Sequence, residues 1–310
     1  MTEQEKVVPK GGCEILLKNL YKYVDVPSYN TKIIMSACSS FILDSSQKNV
    51  VWQHLNTDES SVVGMGDNQF KENVDAFVYV SYWQYQKYCE HYGSPFNKSF
   101  VIKNAIEPIE YIGKPKGEKV KLIYTSTPWR GLDILLGAVD LLNETRDDFE
   151  LDVYSSTIIY GSGFDEKNKE TFQKLFDKAE EMKNVNYIGY ASNDDVRTAV
   201  QGAHIFAYPS IFEETFCMSM VEAGAAGCQI ITTALGALPE IGSTYARYMP
   251  LKETREDLII AYAKELEQAI DDAKTSFLER YREEQSEFFN KYYSWETRKH
   301  EWVKFFESLG

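Results

Sequence analysis

Short apolar, β-branched runs alternate with segments of helical periodicity along most of this chain. The runs lie at 32–35, 49–52, 75–80, 100–102, 120–124, 149–154, 185–188 and 204–208. Runs of this length predict buried strands, and the periodic segments between them predict crossover helices. The alternation therefore predicts an α/β protein made of βα units around parallel sheets.

One break in this pattern divides the chain. Residues 108–119, with the sequence PIEYIGKPKGEK, are rich in Pro, Gly and charge and lack periodicity, so they predict an interdomain linker. Helical periodicity returns in residues 132–142 and dominates the region from about 253 to 307. We therefore expect two domains, which suits a length of 310 residues.

Charge and composition narrow the classes of function. A formal net charge of −14 disfavours tight binding to nucleic acid and docking on an anionic membrane. The five cysteines include no C-x-x-C pair, so neither a disulfide framework nor a zinc site is predicted. The chain has no N-terminal apolar leader and no run of about 18 apolar residues. We expect a cytoplasmic protein without an integral membrane segment.

The candidate chemistry is concentrated in residues 208–241, YPSIFEETFCMSMVEAGAAGCQIITTALGALPEI. This segment predicts a strand end, a loop, a helix that opens at Thr215 and Phe216, a buried strand and a second loop. Small residues at 223–227 should let the helix lie close to the sheet. Ligands of open α/β sheets bind at such carboxyl ends, and a helix N-terminus there suits a diphosphate.

Two carboxylates of this segment, Glu214 and Glu222, lie at opposite ends of its loop and helix. At 1.5 Å per residue they are up to ~12 Å apart, more than the ~5 to 9.5 Å between paired glycosidase carboxylates. They therefore suit hydroxyls at two ends of one elongated ligand, such as a sugar nucleotide. The plainer interpretation is a solvated loop Glu and a helix Glu paired with a Lys, but the order of surrounding elements favours a site.

This segment resembles the signature of the retaining GT-B glycosyltransferases, a large family that includes sucrose synthases and many bacterial lipid and polysaccharide transferases. Its E-x7-E motif runs here from Glu214 to Glu222, with PS before it at 209–210 and GALPE after it at 236–240, where the family has GG-x-PE. The resemblance implies two facing Rossmann-like domains with parallel sheets. It implies a short acceptor-side domain over 1–107, the linker, a donor domain over 120–291, and a C-terminal helix over 292–310 that crosses back and opens at Ser294 and Trp295.

The resemblance also implies roles for individual residues. Glu222 would bind the ribose hydroxyls and Glu214 the donor sugar, while Arg130 stabilises the departing diphosphate. Arg130 stands in the Lys slot of a loop where the family usually has two cations, so either one phosphate cation is missing here or the hydroxyls of Ser126 and Thr127 substitute for it. The other implied donor-binding residues are Gly11, Gly12 (from the family's N-terminal GG-x-E loop), Ser126, Thr127, Ser210, Phe216, Cys217 and Met218.

His54 follows a predicted strand of the first domain and should face the cleft. Relatives often place a His or Asp in such a loop near the sugar, which implies a catalytic role beside Glu214 and Arg130. A histidine satisfied by local hydrogen bonds is the other interpretation, and both stay open.

The resemblance implies transfer of a hexose or similar sugar, with retention, from a nucleoside diphosphate such as UDP or GDP to a hydroxyl of a glycan, a lipid-linked or a small-molecule acceptor. No D-x-D pair occurs, so we expect no metal and no cofactor. Two alternatives stay open: a sugar-nucleotide 2-epimerase of the same fold, and a non-catalytic sugar-nucleotide-binding subunit of a transferase complex. A dehydrogenase is disfavoured because no G-x-G-x-x-G follows a predicted strand.

Overall fold

The computed structural model describes residues 12–158, 162–275 and 278–310, with the backbone alone for 162, 164, 165 and 169. Its first sheet is parallel, with four strands in the order β1-β2-β3-β4. These strands are β1 (Thr31–Met35), β2 (Lys48–Gln53), β3 (Ala76–Tyr79) and β4 (Ser99–Val101). The helices that precede or connect them are α1 (Gly12–Tyr23), α2 (Asn68–Asn73) and α3 (Tyr82–Tyr92).

Both faces of the first sheet are covered, which explains the apolar runs of its central strands β2 and β3. On β2, Val50 and Trp52 pack with α1, whereas Val51 on the opposite face packs with Phe70 of α2 and Tyr88 of α3. The sheet is therefore the middle of three layers.

The second sheet is also parallel and has six strands in the order β10-β9-β8-β5-β6-β7. They are β5 (Val120–Thr125), β6 (Phe149–Tyr154), β7 (Val185–Tyr187), β8 (Ile205–Tyr208), β9 (Gln229–Thr233) and β10 (Ala246–Met249). The chain adds β6 and β7 on one side of β5, then returns to add β8, β9 and β10 on the other. This reversal makes a topological switch point between β5 and β8, where ligands of such sheets bind.

Eight α-helices of the described residues follow the linker. They are α4 (Leu132–Asn143), α5 (Ser162–Glu181), α6 (Asn193–Gly202), α7 (Met218–Ala225), α8 (Leu238–Gly242), α9 (Arg255–Ala273), α10 (Glu279–Tyr292) and α11 (Trp295–Ser308). α4 packs on α9, and α10 packs on α7. The predicted helical character after residue 253 is confirmed as three successive helices.

α11 crosses back to the first domain, as the family resemblance implies. The Oγ of Ser294 caps its first turn by accepting the amide of Thr297 at 3.2 Å. On the first domain, the ring of Trp302 meets that of Trp52 at 4.9 Å between centroids. At the crossing, Ile106 pairs with Ser294 in a short parallel bridge, so the two stretches of chain that join the domains run side by side.

The predicted linker over 108–119 contains neither helix nor strand. It is held against the second domain by hydrogen bonds. The amide of Ile109 donates to Asn290 Oδ1 at 2.7 Å, and Lys114 Nζ donates to the carbonyl of Ala226 at 2.7 Å. Further on, Pro115 O lies 3.0 Å from His204 Nε2. The segment is thus anchored by groups distant in sequence.

Two predictions about local structure are wrong. The helix of the signature segment begins at Met218, not at Thr215, because Thr215 is held in an interdomain contact that a helical turn would break. The expected N-terminal loop is helical from Gly12, since Leu16 and Leu20 bury one face of α1. Gly11 lies outside the described residues.

α7 contacts β9, but among the small residues at 223–227 Gly224 makes a different contact from the expected one. A Cβ added to Gly224 would lie 2.7 Å from the ring of Phe289, so this glycine allows α10, not the sheet, to approach α7 closely. Gln285 of α10 donates to the carbonyl of Gly224 at 3.1 Å, and Ser286 donates to that of Ala225 at 2.5 Å. α10 therefore satisfies carbonyls at the end of α7.

Candidate functional site

Three loops meet at the switch point of the second sheet. β5, β8 and β9 are neighbours, and their carboxyl ends lead into loops at 126–131, 209–217 and 234–237. Most of the expected site residues lie in the first two loops. The structure therefore brings the Arg130 loop and the E-x7-E segment together.

Glu214 is a buried carboxylate among these loops, with only 2% of the residue exposed. Its Oε1 accepts hydrogen bonds from Nη1 of Arg130 and from the hydroxyl of Tyr208. Burial is the main reason why the pKa of Tyr208 lies well above its usual value, and the negative charge of Glu214 raises this pKa further. The phenol therefore stays protonated and remains a hydrogen-bond donor. Both bonds fall on Oε1, and Oε2 is the oxygen that we expect a ligand to contact.

Arg130 ends a 3-10 turn over Pro128–Arg130. Besides its ion pair with Glu214, its guanidinium carbon lies 4.5 Å from the centroid of the Phe212 ring, a cation–π contact. The side chain is 23% exposed. Arg130 is therefore a positioned cation and not a solvated one. The sequence did not predict its pairing with Glu214, and its contact with a diphosphate stays a prediction.

Two glycines let the backbones of these loops approach closely. Gly131 has φ +103°, and a Cβ there would lie 2.1 Å from the carbonyl oxygen of Pro209. Gly236 has φ +60°, and a Cβ would lie 2.6 Å from the backbone N and O of Glu214. The amide of Ala237 then donates to the carbonyl of Glu214 at 2.7 Å. The third loop thus holds the backbone of the central carboxylate.

The N-terminus of α7 opens beside this carboxylate. Met218 is its first residue, and Cys217 before it has no side-chain oxygen with which to cap the first turn. Ser219 Oγ donates to the carbonyl of Thr125 at 2.9 Å, which ties this turn to the end of β5. Phe216 and Cys217 are buried. This geometry fits the predicted use of the amides at 216–218 for an anion.

The expected donor-binding hydroxyls have different surroundings. Ser126 Oγ lies 3.5 Å from the Tyr208 hydroxyl, whereas Thr127 Oγ1 is buried and has no hydrogen-bond partner in the part of the chain that the structure describes. Ser210 Oγ bonds to the backbone of Phe212, so it shapes its own loop. Ser126 is thus better placed than Ser210 to meet a ligand, whereas the Thr127 hydroxyl is buried.

Glu222 is in the second turn of α7 and is paired, but with Arg197 of α6 and not with a lysine. Arg197 Nη1 lies 2.8 Å from Glu222 Oε1, and the two side chains are 19% and 13% exposed. Arg197 has no local motif that marks it, so sequence reasoning missed it. Glu222 Oε2 is the oxygen left for a ligand hydroxyl in this arrangement.

The first domain contacts the site through the loops after β2 and β3. Ser81 Oγ donates to the carbonyl of Thr215 at 2.7 Å, and Thr215 Oγ1 donates to the carbonyl of His54 at 2.6 Å. His54 therefore lies at the domain interface, on the loop where it was predicted. The contact made there comes from its backbone.

The imidazole of His54 packs on Trp52, with 4.7 Å between ring centroids, and Nδ1 lies 3.3 Å from the carbonyl of the same residue. Burial lowers the pKa of His54 to about 4, while the nearby side chain of Asn104 partly opposes this shift. The ring is therefore neutral at physiological pH. A catalytic role for it stays a prediction.

Glu240, in the GALPE segment, joins the domains directly. Its two carboxylate oxygens accept the amides of Tyr82 at 3.1 Å and Trp83 at 3.0 Å, in the first turn of α3. Lys103 Nζ lies 2.9 Å from Oε1, with the Lys and Glu side chains 11% and 20% exposed. A carboxylate at a helix N-terminus is favoured by the helix dipole. Glu240 thus stabilises the facing arrangement of the domains.

Across 12–158, 162–275 and 278–310, no three His, Cys, Asp or Glu side chains are close enough together to hold a metal ion. Among these same residues, no helix has both the length and the apolar character needed to cross a membrane.

Comparison with known proteins concerns the family and the fold. A family model described as "Glycosyl transferases group 1" matches residues 110–285. Over 145 residues the chain is 27% identical to one of the subunits of human phosphatidylinositol N-acetylglucosaminyltransferase. This match covers 46% of the chain and 28% of the human protein, so the chain spans only part of that relative's length.

Two solved structures share the two-domain fold. A glycosyltransferase from Rickettsia africae superposes with a TM-score of 0.66 at 15% identity, over 100% of this chain and 84% of that one. The pneumococcal O-GlcNAc transferase GtfA in complex with UDP and GlcNAc superposes with a TM-score of 0.65 at 15% identity, over 94% and 60%.

Proposed function

The chain belongs to the group 1 glycosyl transferases and has the GT-B fold, and we propose that it transfers a sugar from a nucleoside diphosphate to an acceptor hydroxyl. The donor is a UDP-sugar or GDP-sugar. The acceptor is a glycan, a lipid-linked molecule or a small molecule. Transfer proceeds with retention and needs no metal. The similar structure that contains UDP and GlcNAc makes UDP the first nucleotide to test.

The observation that carries this proposal is the buried carboxylate Glu214 at the switch point. Arg130 and Tyr208 engage one of its oxygens, and the uncapped first turn of α7 lies a few residues further on. Glu222 lies eight positions after Glu214, where a ribose would extend from the diphosphate. In this arrangement Glu214 binds the sugar and Glu222 binds the ribose. Arg130 and the amides at the start of α7 bind the diphosphate between them.

The chemistry follows from these positions. The bond between the anomeric carbon and the diphosphate oxygen breaks, and negative charge develops on the leaving group. Arg130 and the N-terminal amides of α7 stabilise that charge. The acceptor oxygen attacks the anomeric carbon from the same face, and its proton passes to a phosphate oxygen of the leaving group. No protein nucleophile is needed, and Glu214 orients the sugar through its hydroxyls.

The ion pair of Arg130 with Glu214 explains how one cation serves a site where relatives have two. The pair fixes the guanidinium beside the sugar carboxylate, and a guanidinium can hold a carboxylate and a phosphate through different N–H groups. Burial lowers the pKa of His54 to about 4, so this residue supplies no phosphate-binding charge.

A thermal-shift panel of UDP, GDP, ADP and their sugars tests the proposal. One diphosphate and its sugar should raise the melting temperature, because ligand at 100 times its dissociation constant stabilises by about 2.7 kcal/mol. The matched nucleotide sugar should also release its diphosphate slowly by hydrolysis, faster with acceptor, and NMR of the product should show a retained anomeric configuration. A panel in which no nucleotide stabilises the protein would refute the proposal.

One observation favours a second candidate, a sugar-nucleotide-binding subunit that has no activity of its own. Among the described residues the sheet of the first domain has four strands against six in the second, which favours a reduced acceptor side. Tight binding of a nucleotide sugar with neither hydrolysis nor transfer would favour this role. Conversion to the 2-epimer without any acceptor would instead identify an epimerase.

A further inference from the structure

Arg197 on α6 connects Glu222 with the crossing between the domains. Nη1 of Arg197 donates to Glu222 Oε1 at 2.8 Å, and Nη2 donates to the carbonyls of Glu107 at 2.9 Å and Pro108 at 3.0 Å. One guanidinium therefore makes three hydrogen bonds, one to a carboxylate of the proposed donor site and two to the junction of the first domain and the linker.

Glu107, the last residue before the linker, is also bound by side chains of α1. Lys22 Nζ donates to Glu107 Oε1 at 2.7 Å, and the hydroxyl of Tyr23 donates to Oε2 at 2.8 Å. The Tyr23 ring stacks on Trp295, the first residue of α11, with 5.7 Å between centroids. A continuous set of contacts thus runs from Glu222 through Arg197 and Glu107 to both chain segments that join the domains.

We propose that Arg197 is a positioning residue that orients Glu222 towards the ribose hydroxyls of a nucleotide and couples nucleotide binding to the linker. This inference rests on the proposed function, because it takes Glu222 as the ribose-binding carboxylate. Arg197 engages Oε1 and thereby directs Oε2 to the ligand.

The chemistry explains why this position needs an arginine. Burial raises the pKa of Glu222, and the charge of Arg197 opposes that shift, which favours the carboxylate that accepts ribose hydroxyls. The planar guanidinium also reaches a carboxylate and two carbonyls at once. A lysine has one compact charge and cannot reproduce all three contacts in this geometry.

The test compares a ribonucleotide with its 2′-deoxy counterpart. The diphosphate bound most tightly among UDP, GDP and ADP is titrated by calorimetry beside dUDP, dGDP or dADP, with wild type, Arg197→Gln, Arg197→Lys and Glu222→Ala. Wild type should prefer the ribonucleotide by about tenfold or more, the scale of a hydrogen bond to a charged group. Arg197→Gln should lose most of this preference, and Arg197→Lys should keep an intermediate one.

Arg280→Gln is the matched control, because Arg280 is exposed on α10 and pairs with Glu284 of the same helix. It should keep the full ribose preference. Melting curves without nucleotide identify any variant that fails to fold. If Arg197→Gln does not fold, the ribose preference of Arg197→Lys is compared with that of wild type instead. A preference that survives in Arg197→Gln overturns the inference. If it survives in Glu222→Ala as well, the ribose subsite of the proposed function is refuted too, whereas its loss in Glu222→Ala alone leaves the proposed function intact.

Hydrogen exchange tests the coupling to the linker. In wild type, the same diphosphate at saturation should slow amide exchange in the peptide that spans residues 105–111. In Arg197→Gln, saturating nucleotide should leave that exchange unchanged. Equal protection in both proteins would show that nucleotide binding reaches the linker without Arg197.

Discussion

Replacing Arg130 by methionine isolates the buried ion pair with Glu214. Methionine keeps an unbranched apolar stem but removes the charge and the donor to Oε1. Glu214 is 2% exposed, so it would remain a buried carboxylate with Tyr208 as its neighbouring donor. Breaking a buried pair costs about 3–5 kcal/mol, and the partial exposure of Arg130 places the expected loss near 3 kcal/mol.

Urea unfolding of four proteins measures this loss. Wild type, Arg130→Met, Glu214→Gln and the double variant form a mutant cycle, in which the double variant should be more stable than the sum of the single losses predicts. Arg280→Met is the control, because its ion pair with Glu284 is exposed and worth at most about 1 kcal/mol. An Arg130→Met protein within about 0.5 kcal/mol of wild type would refute the buried-pair argument, since surface substitutions have effects of that size.

The same residue has a kinetic consequence. If Arg130 stabilises charge on the departing diphosphate, Arg130→Ala should lower the turnover number by at least ~100-fold, the scale for one preorganised donor. Arg130→Lys should recover only part, because lysine lacks the bidentate fork. Steady-state kinetics decide this, and a turnover number within about threefold of wild type for Arg130→Ala would remove the residue from the mechanism.

Three further predictions concern the donor site and the buried histidines. Transfer should survive EDTA, because a helix N-terminus and a guanidinium meet the phosphate charge; a loss that manganese or magnesium restores would contradict this. Glu222→Ala should weaken binding of the bare nucleoside diphosphate, whereas Glu214→Ala should mainly weaken the preference for the nucleotide sugar over the bare diphosphate. Calorimetry should show a loss of roughly 1.5–3 kcal/mol in each case. Equal losses for both ligands in both variants would refute the two-ended site. Burial lowers the pKa of His54 and His204 to about 4 from 6.5, so the unfolded chain binds protons that the native protein excludes, and stability should fall as the pH drops from about 6.5 to about 4. His204→Gln should flatten that slope in urea unfolding at several pH values, and an unaltered slope would show that other groups control it.

Local patterns in the sequence were sufficient for the elements and for the outline of the site. The strands from 32 to 208 could be predicted because each contains a short apolar run, and the central strands β2, β3 and β8 are buried on both faces. The E-x7-E spacing was sufficient to single out Glu214 and Glu222, and the resemblance it carries led to the family. The start of α7 was misjudged because Thr215 is engaged by the other domain, a contact that no local pattern records.

The sequence by itself therefore determined the α/β architecture, the family and the two carboxylates, since these depend on periodicity and on residues near one another in the chain. Only the tertiary structure decided how the charges pair. Arg130 and Glu214 are 84 positions apart, and Glu240 caps a helix 158 positions away. Arg197 and Glu222 are 25 apart on different helices. The cost of burying a charge without a partner forces such pairs to form, but which partners meet depends on the packing of sheets and helices that folding brings together.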